Sequence, residues 1–211
     1  MSVFFIKIWQ HLELTFIALF FAMLIAMPLG VYLTRIKKPA VANTILRITG
    51  MIQTIPGLAL IALIIVILMF LRAIFPLPTT GFLPSLIVLV LYALLPILIN
   101  TYSGIKQVNS SLKMVARSLG MTHTQIFFYV ELPLSLPVIL TGIRIALVST
   151  IGMVTLTSLV GSGGLGDLIV QGLRTMQLDL VLVGTIPAAL LAIIFDGSLS
   201  KLGRLFAPHV E

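Results

Sequence analysis

The sequence has no cysteine, one tryptophan and only six acidic residues. Without cysteine, disulfides and thiolate metal sites are excluded. No His, Asp or Glu cluster has catalytic or metal-ligand spacing, which argues against a membrane enzyme and against a metal site. No G-x-x-x-x-G-K-[ST] stretch occurs, so the chain has no phosphate-cradling loop for ATP. Charge is the scarcest commodity: charged residues make up 9% of the chain, against roughly 25% in a soluble domain. So little polar surface cannot cover a water-soluble globule.

What is present is apolar length. Of 211 residues, 59% are hydrophobic, and they gather into runs long enough to cross a bilayer. We expect an all-α integral membrane protein, one domain over residues 1–211, with five spans at about Leu14–Leu33, Ile52–Leu71, Leu83–Ile99, Val138–Val160 and Leu180–Leu199. Each is read as a helix because backbone in lipid must satisfy its own hydrogen bonds. The first run is longer than a signal-peptide core, with no small-residue cleavage site after it, and is expected to be a retained span. Before it, Phe4, Phe5, Ile8, Trp9 and Leu12 recur at helical spacing, either as a short interfacial helix or as an extension of the first span.

The net charge of +7 does not point to nucleic acid, because the cations sit in the short segments between apolar runs. With the N-terminus outside, the inner side holds Arg35, Lys37, Lys38, Arg47, Lys106, Lys113, Arg117, Lys201 and Arg204. The outer side then holds Lys7, Arg72 and Arg174. Nine cations against three favour this orientation, with the C-terminus inside.

Polar and helix-breaking residues punctuate the spans. Gln53, Thr54, Pro56 and Asn100 are candidates for lining a translocation path, because amides are costly facing lipid. Helix packing is the plainer reading of the prolines and glycines. Arg144 and Asp196 lie at similar depths near the inner face and are expected either to pair or to snorkel separately. No acidic pair or histidine sits at a span centre, which weakens a proton or sodium relay. Gly161-Ser162-Gly163-Gly164-Leu165-Gly166 fits G-x-G-x-x-G, but it follows a span rather than a strand, so we read a tight turn and not a nucleotide site. Asp167 is expected to cap the helix after it, Leu168–Met176.

The most informative stretch is Met114–Pro137, a basic insert between two apolar runs. Leu112, Val115, Ala116 and Leu119 fall at i, i+3, i+4 and i+7, one apolar stripe on a short helix. Gly120 suits a helix-ending position, Met121 follows, and Thr122-x-x-Gln125 is a capping box for a second helix. The insert over residues 112–133 therefore reads helix, glycine turn, helix, lying on the inner surface. It is either an amphipathic connector burying its stripe on the spans or a dock for something in the water.

The spacing Gly120…Val130-Glu131-Leu132-Pro133 resembles the motif E-A-A-x3-G-x9-I-x-L-P of ABC importer permeases. Gly120, Leu132 and Pro133 match, Ala116 occupies the second alanine position, Val115 replaces the first alanine, and Val130 conservatively replaces isoleucine. Met114 stands where the motif has glutamate. Pro28-Leu29-Gly30-Val31, Gln53-Thr54-Ile55-Pro56, Leu95-Pro96-Ile97-Leu98 with Asn100-Thr101-Tyr102, and Gly163-Gly164-Leu165-Gly166-Asp167 resemble permeases of osmoprotectant importers for glycine betaine, carnitine, choline and related solutes. The resemblance runs from about Leu12 to Phe206. It implies that Val115, Ala116, Leu119, Gly120, Met121 and Thr122 form a coupling helix docking into a separate cytoplasmic ATPase, which binds ATP and magnesium. It also implies a second permease, identical or homologous, an extracytoplasmic solute-binding protein, and residence in a bacterial plasma membrane. An amino-acid importer of the same superfamily, or a stand-alone channel or secondary transporter, are the alternatives. Quaternary ammonium groups are held by aromatic cages, and no cage is readable in one tryptophan and four tyrosines.

Overall fold

The computed structural model describes residues 2–205, so residue 1 and residues 206–211 of the expected domain lie outside it. All regular structure among the described residues is helical. The helices are α1 (Ser2–Arg35), α2 (Pro39–Thr54), α3 (Gly57–Leu71), α4 (Phe82–Gln107), α5 (Ser110–Ser118), α6 (His123–Ile126), α7 (Leu132–Thr157), α8 (Leu165–Thr175) and α9 (Leu178–Leu205), with a π-helical turn at Phe127–Glu131 and a 3₁₀ turn at Ser158–Val160. Four continuous helical stretches are each long and apolar enough to cross a bilayer, and α2 with α3 makes a fifth if that bent pair counts as one crossing.

The centre is α1, α4 and α7. Their shared core holds Leu19, Ala22 and Ala26 of α1, Ala93, Ile97 and Leu98 of α4, and Ala146, Leu147 and Ile151 of α7. Small residues let these backbones approach, as packing in lipid requires. A Cβ added at Gly30 would sit 2.8 Å from the Thr101 Cβ, and one at Gly142 would sit 2.6 Å from both the Asn100 Cβ and the Pro96 carbonyl oxygen. The α9 helix packs on α7 and α8 at the edge of this core.

Residues 2–35 form one helix, so of the two readings left open for the aromatic N-terminal segment the structure has the extension of the first span. Two expectations are corrected. Ile52–Leu71 is not one straight span: the chain breaks at Ile55–Pro56, and α2 and α3 meet at 102°. Pro56 causes the break, since proline pushes the residue before it out of helical geometry, and Ile55 is extended at φ −73°, ψ 124°. The 15 residues of α3 rise about 22 Å, short of a hydrocarbon core of about 30 Å. Finally, Asp167 caps nothing. Helix α8 begins at Leu165 behind Gly164 with no side-chain cap, and Asp167 sits within its first turn.

Candidate functional site

Helix α5 is capped by Asn109, whose side-chain oxygen accepts the Ser111 amide at 2.9 Å. It ends in a Schellman turn: the Met121 amide reaches the Ala116 carbonyl at 3.1 Å and the Gly120 amide reaches Arg117 at 2.9 Å. That turn needs a left-handed residue, and Gly120 has φ +79°. The capping box follows directly. The Thr122 amide donates to Gln125 Oε1 at 2.8 Å, and the Gln125 amide donates to Thr122 Oγ1 at 3.3 Å. The insert is thus two short capped helices around a hydrogen-bonded glycine turn.

Its apolar stripe does not pack on the spans. Ala116 alone is buried, while Leu112, Val115 and Leu119 are 47%, 58% and 76% exposed, and Met114 beside them is 68% exposed. A connector helix would bury such a stripe; this one leaves it exposed next to the open Gly120 turn, where an added Cβ meets nothing within 4 Å.

Behind the stripe lies an ion-pair anchor that the sequence reading did not single out. Glu131, at the end of the π turn, is 2% exposed. The Arg35 guanidinium, at the end of α1, donates to both of its carboxylate oxygens. Lys113 Nζ of α5 lies 3.4 Å from Glu131 Oε1. Arg35 also lies 5.8 Å from the centre of the Phe127 ring, within cation–π range. Arg35, Lys113, Arg117, His123 and Glu131 border a cavity of about 370 Å³ between α1 and the insert. Glu131 precedes the apolar run Val138–Val160. The π turn has a local cause. Pro133 has no amide and its ring crowds the carbonyl one turn back; widening the turn, with the Leu132 amide bonded to Phe127, makes room for it. One available signal was scarcity: with so few carboxylates, each one beside basic segments needs a partner.

The path candidates are placed as follows. Pro96 cannot donate to the Tyr92 carbonyl one turn back, and the Gln53 side-chain amide supplies that bond at 2.7 Å. The Tyr92 hydroxyl returns to the Ile55 carbonyl at the α2–α3 break. The Asn100 amide donates to the Pro96 carbonyl at 2.7 Å, against Gly142. Both amide groups therefore have structural partners, the Tyr92 and Pro96 carbonyls one turn apart on α4. Thr54 and Pro56 are exposed at the break. The structure brings Arg144 and Asp196 together: Nε and Nη2 donate to the two carboxylate oxygens at 2.5 and 2.7 Å, joining α7 to α9.

At the opposite end from α5, α1 is latched to the glycine loop. Gly161, Gly163 and Gly164 all have positive φ, the tight turn read from the sequence. Gln10 Oε1 accepts the Gly164 amide at 3.1 Å, and Lys7 Nζ reaches Asp167 at 2.5 Å. Asp167 thus serves α8 by ion pairing and by lying near its N-terminal dipole. His11 is fully buried beside this loop, its Nε2 bonded to the Ile151 carbonyl at 3.1 Å.

A bundle of helices long and apolar enough to cross a bilayer, with a capped helical insert that leaves its apolar stripe exposed, defines an α-helical multi-pass membrane protein. The chain belongs to the family of binding-protein-dependent transport system inner membrane components, whose model matches residues 26–208. It is 40% identical over 203 residues to the carnitine transport permease protein OpuCB of Listeria monocytogenes, covering 96% of this chain and 88% of that one. It is 41% identical over 202 residues to the choline transport system permease protein OpuBB of Bacillus subtilis, with the same coverage. It is 36% identical over 200 residues to the osmoprotectant import permease protein OsmY of Salmonella typhimurium, covering 95% of this chain and 80% of that one. Among solved structures, a chain of the MetNI methionine ABC transporter in an inward-facing conformation superposes with a TM-score of 0.84 at 23% identity, covering 98% of this chain and 97% of that one. The fold is that of an ABC importer membrane component, and the chain is a transport subunit rather than an enzyme.

Proposed function

We propose that this chain is the permease subunit of an ATP-driven importer of compatible solutes such as glycine betaine, carnitine or choline, in a bacterial plasma membrane. The named relatives at about 40% identity support the solute class. The amino-acid alternative has only a shared fold behind it, at 23% identity. The chain crosses five times, α2 and α3 making one broken crossing, with the N-terminus outside and the C-terminus in the cytoplasm; the cation excess on the α5 side supports this. Two permeases, this chain with an identical or homologous partner, enclose the path, and an extracytoplasmic binding protein delivers the solute. Thr54 and Pro56 at the break, with Gln53 and Asn100 behind them, line or shape that path. ATP and magnesium are held by the partner ATPase.

The observation that carries the coupling role is the exposed stripe of Leu112, Val115 and Leu119 on a capped helix that ends in an open glycine turn. This segment docks into the cytoplasmic ATPase. When two ATPases close on ATP, they draw the two inserts together and switch the permease pair from inward-open to outward-open. Substitution at Gly120 tests this. Gly120→Ala adds left-handed strain of about 1–2 kcal/mol and leaves the ATPase co-purifying. Gly120→Trp places a bulky ring on the docking face and abolishes solute-stimulated hydrolysis and uptake. Undiminished uptake by the tryptophan variant removes the coupling role.

A further inference from the structure

We propose that Glu131 is the positioning residue that makes the coupling segment rigid with the bundle, so that force applied to α5 reaches α1 and α7 together. This rests on the coupling role just proposed. Three elements converge on one carboxylate. Glu131 itself opens α7, the Arg35 fork comes from the last residue of α1, and Lys113 comes from the middle of α5. The bidentate Arg35 contact fixes direction as well as distance. The carboxylate is almost fully buried, so water screens these contacts weakly. Lys113 directly follows Leu112, but its side chain is turned from the exposed stripe toward Glu131 and is only 23% exposed. It is the only side chain of α5 paired with a charge elsewhere among the described residues. Apart from it, α5 is held mainly by the buried Ala116 and by chain continuity. Losing Lys113 would therefore loosen α5 from α1 and α7 while leaving the docking stripe and the Arg35–Glu131 pair in place.

The experiment uses the assembled importer in proteoliposomes, comparing Lys113→Ala, Lys113→Arg and Glu131→Gln. Lys113→Ala is expected to retain the ATPase and its hydrolysis, while solute imported per ATP falls about tenfold; Lys113→Arg restores the ratio. Glu131→Gln loses at least as much, or fails to assemble because an uncompensated Arg35 is left behind. Because this chain has no cysteine, a Tyr32→Cys, Ser111→Cys pair, one exposed position on α1 and one on α5, can carry spin labels with no background from the chain itself. The α1–α5 distance distribution is expected to be narrow in the parent and broad with Lys113→Ala added. An unchanged import-to-ATP ratio together with an unchanged distance distribution overturns the anchor. So does loss of ATPase binding by Lys113→Ala, which would place Lys113 in the dock instead. If the parent chain binds no ATPase, the coupling role fails, and the spin-label distances still judge the anchor by itself.

Discussion

At the scale of single residues, the polar side chains of this protein repair backbone or pair charge. Gln53 supplies the hydrogen bond that Pro96 denies to the Tyr92 carbonyl, and Asn100 is turned to its own helix. Both amides are costly in lipid; the partner of Gln53 lies 39 residues away in sequence, where no spacing rule points, and that of Asn100 lies one turn back in its own helix. The Arg144–Asp196 pair was legible because two opposite charges at matched depth have few alternatives in an apolar chain. Removing one of them strands the other. We expect Arg144→Met or Asp196→Leu alone to lower the melting temperature in detergent more than the double substitution does, since the double leaves no unpaired charge. A double variant less stable than both singles contradicts this pairing energetics.

At the scale of elements, the helix ends within the insert were readable, while the start of α8 and the helix paths were not. Gly120, Thr122 and Gln125 announce their turn and cap through local chemistry alone. The π turn at Phe127–Glu131 has a local cause in Pro133, yet its consequence, aiming Glu131 between Arg35 and Lys113, depends on where α1 ends. The close approach of α4 and α7 gives a direct test. A side chain at Gly142 meets the Asn100 Cβ and the Pro96 oxygen, whereas one at Gly152 meets nothing within 4 Å. Gly142→Val is expected to cost about 1–3 kcal/mol, and Gly152→Ala to be neutral or to gain up to about 1 kcal/mol from helix entropy, read by thermal unfolding of the purified chain. Equal effects at the two sites would mean that α4 and α7 do not meet there.

At the scale of the whole molecule, the exposed surfaces match a part of a machine. The two ends of α1 are tied differently: Lys7 and Gln10 latch it to the glycine loop and α8, while Arg35 ties it to the insert. Polar contacts thus hold α1 at both ends of the bundle. Proteoliposomes holding this chain without an ATPase are expected to show no solute uptake above empty vesicles. Uptake that needs neither ATP nor a second protein would identify a stand-alone channel or secondary transporter instead.

The sequence by itself determined that this is a helical membrane protein, roughly where its apolar runs lie, the sign of its charge asymmetry, and the shape of the insert around Gly120. These follow from composition and from interactions within a few residues, which a linear reading contains. Only the tertiary structure decided that the insert's stripe faces outward rather than into the bundle, that the second crossing is broken by 102°, and that Glu131 joins three helices. Whether a given helix face meets protein, and which charges meet across distant segments, depends on how the elements pack, and no local pattern encodes that packing.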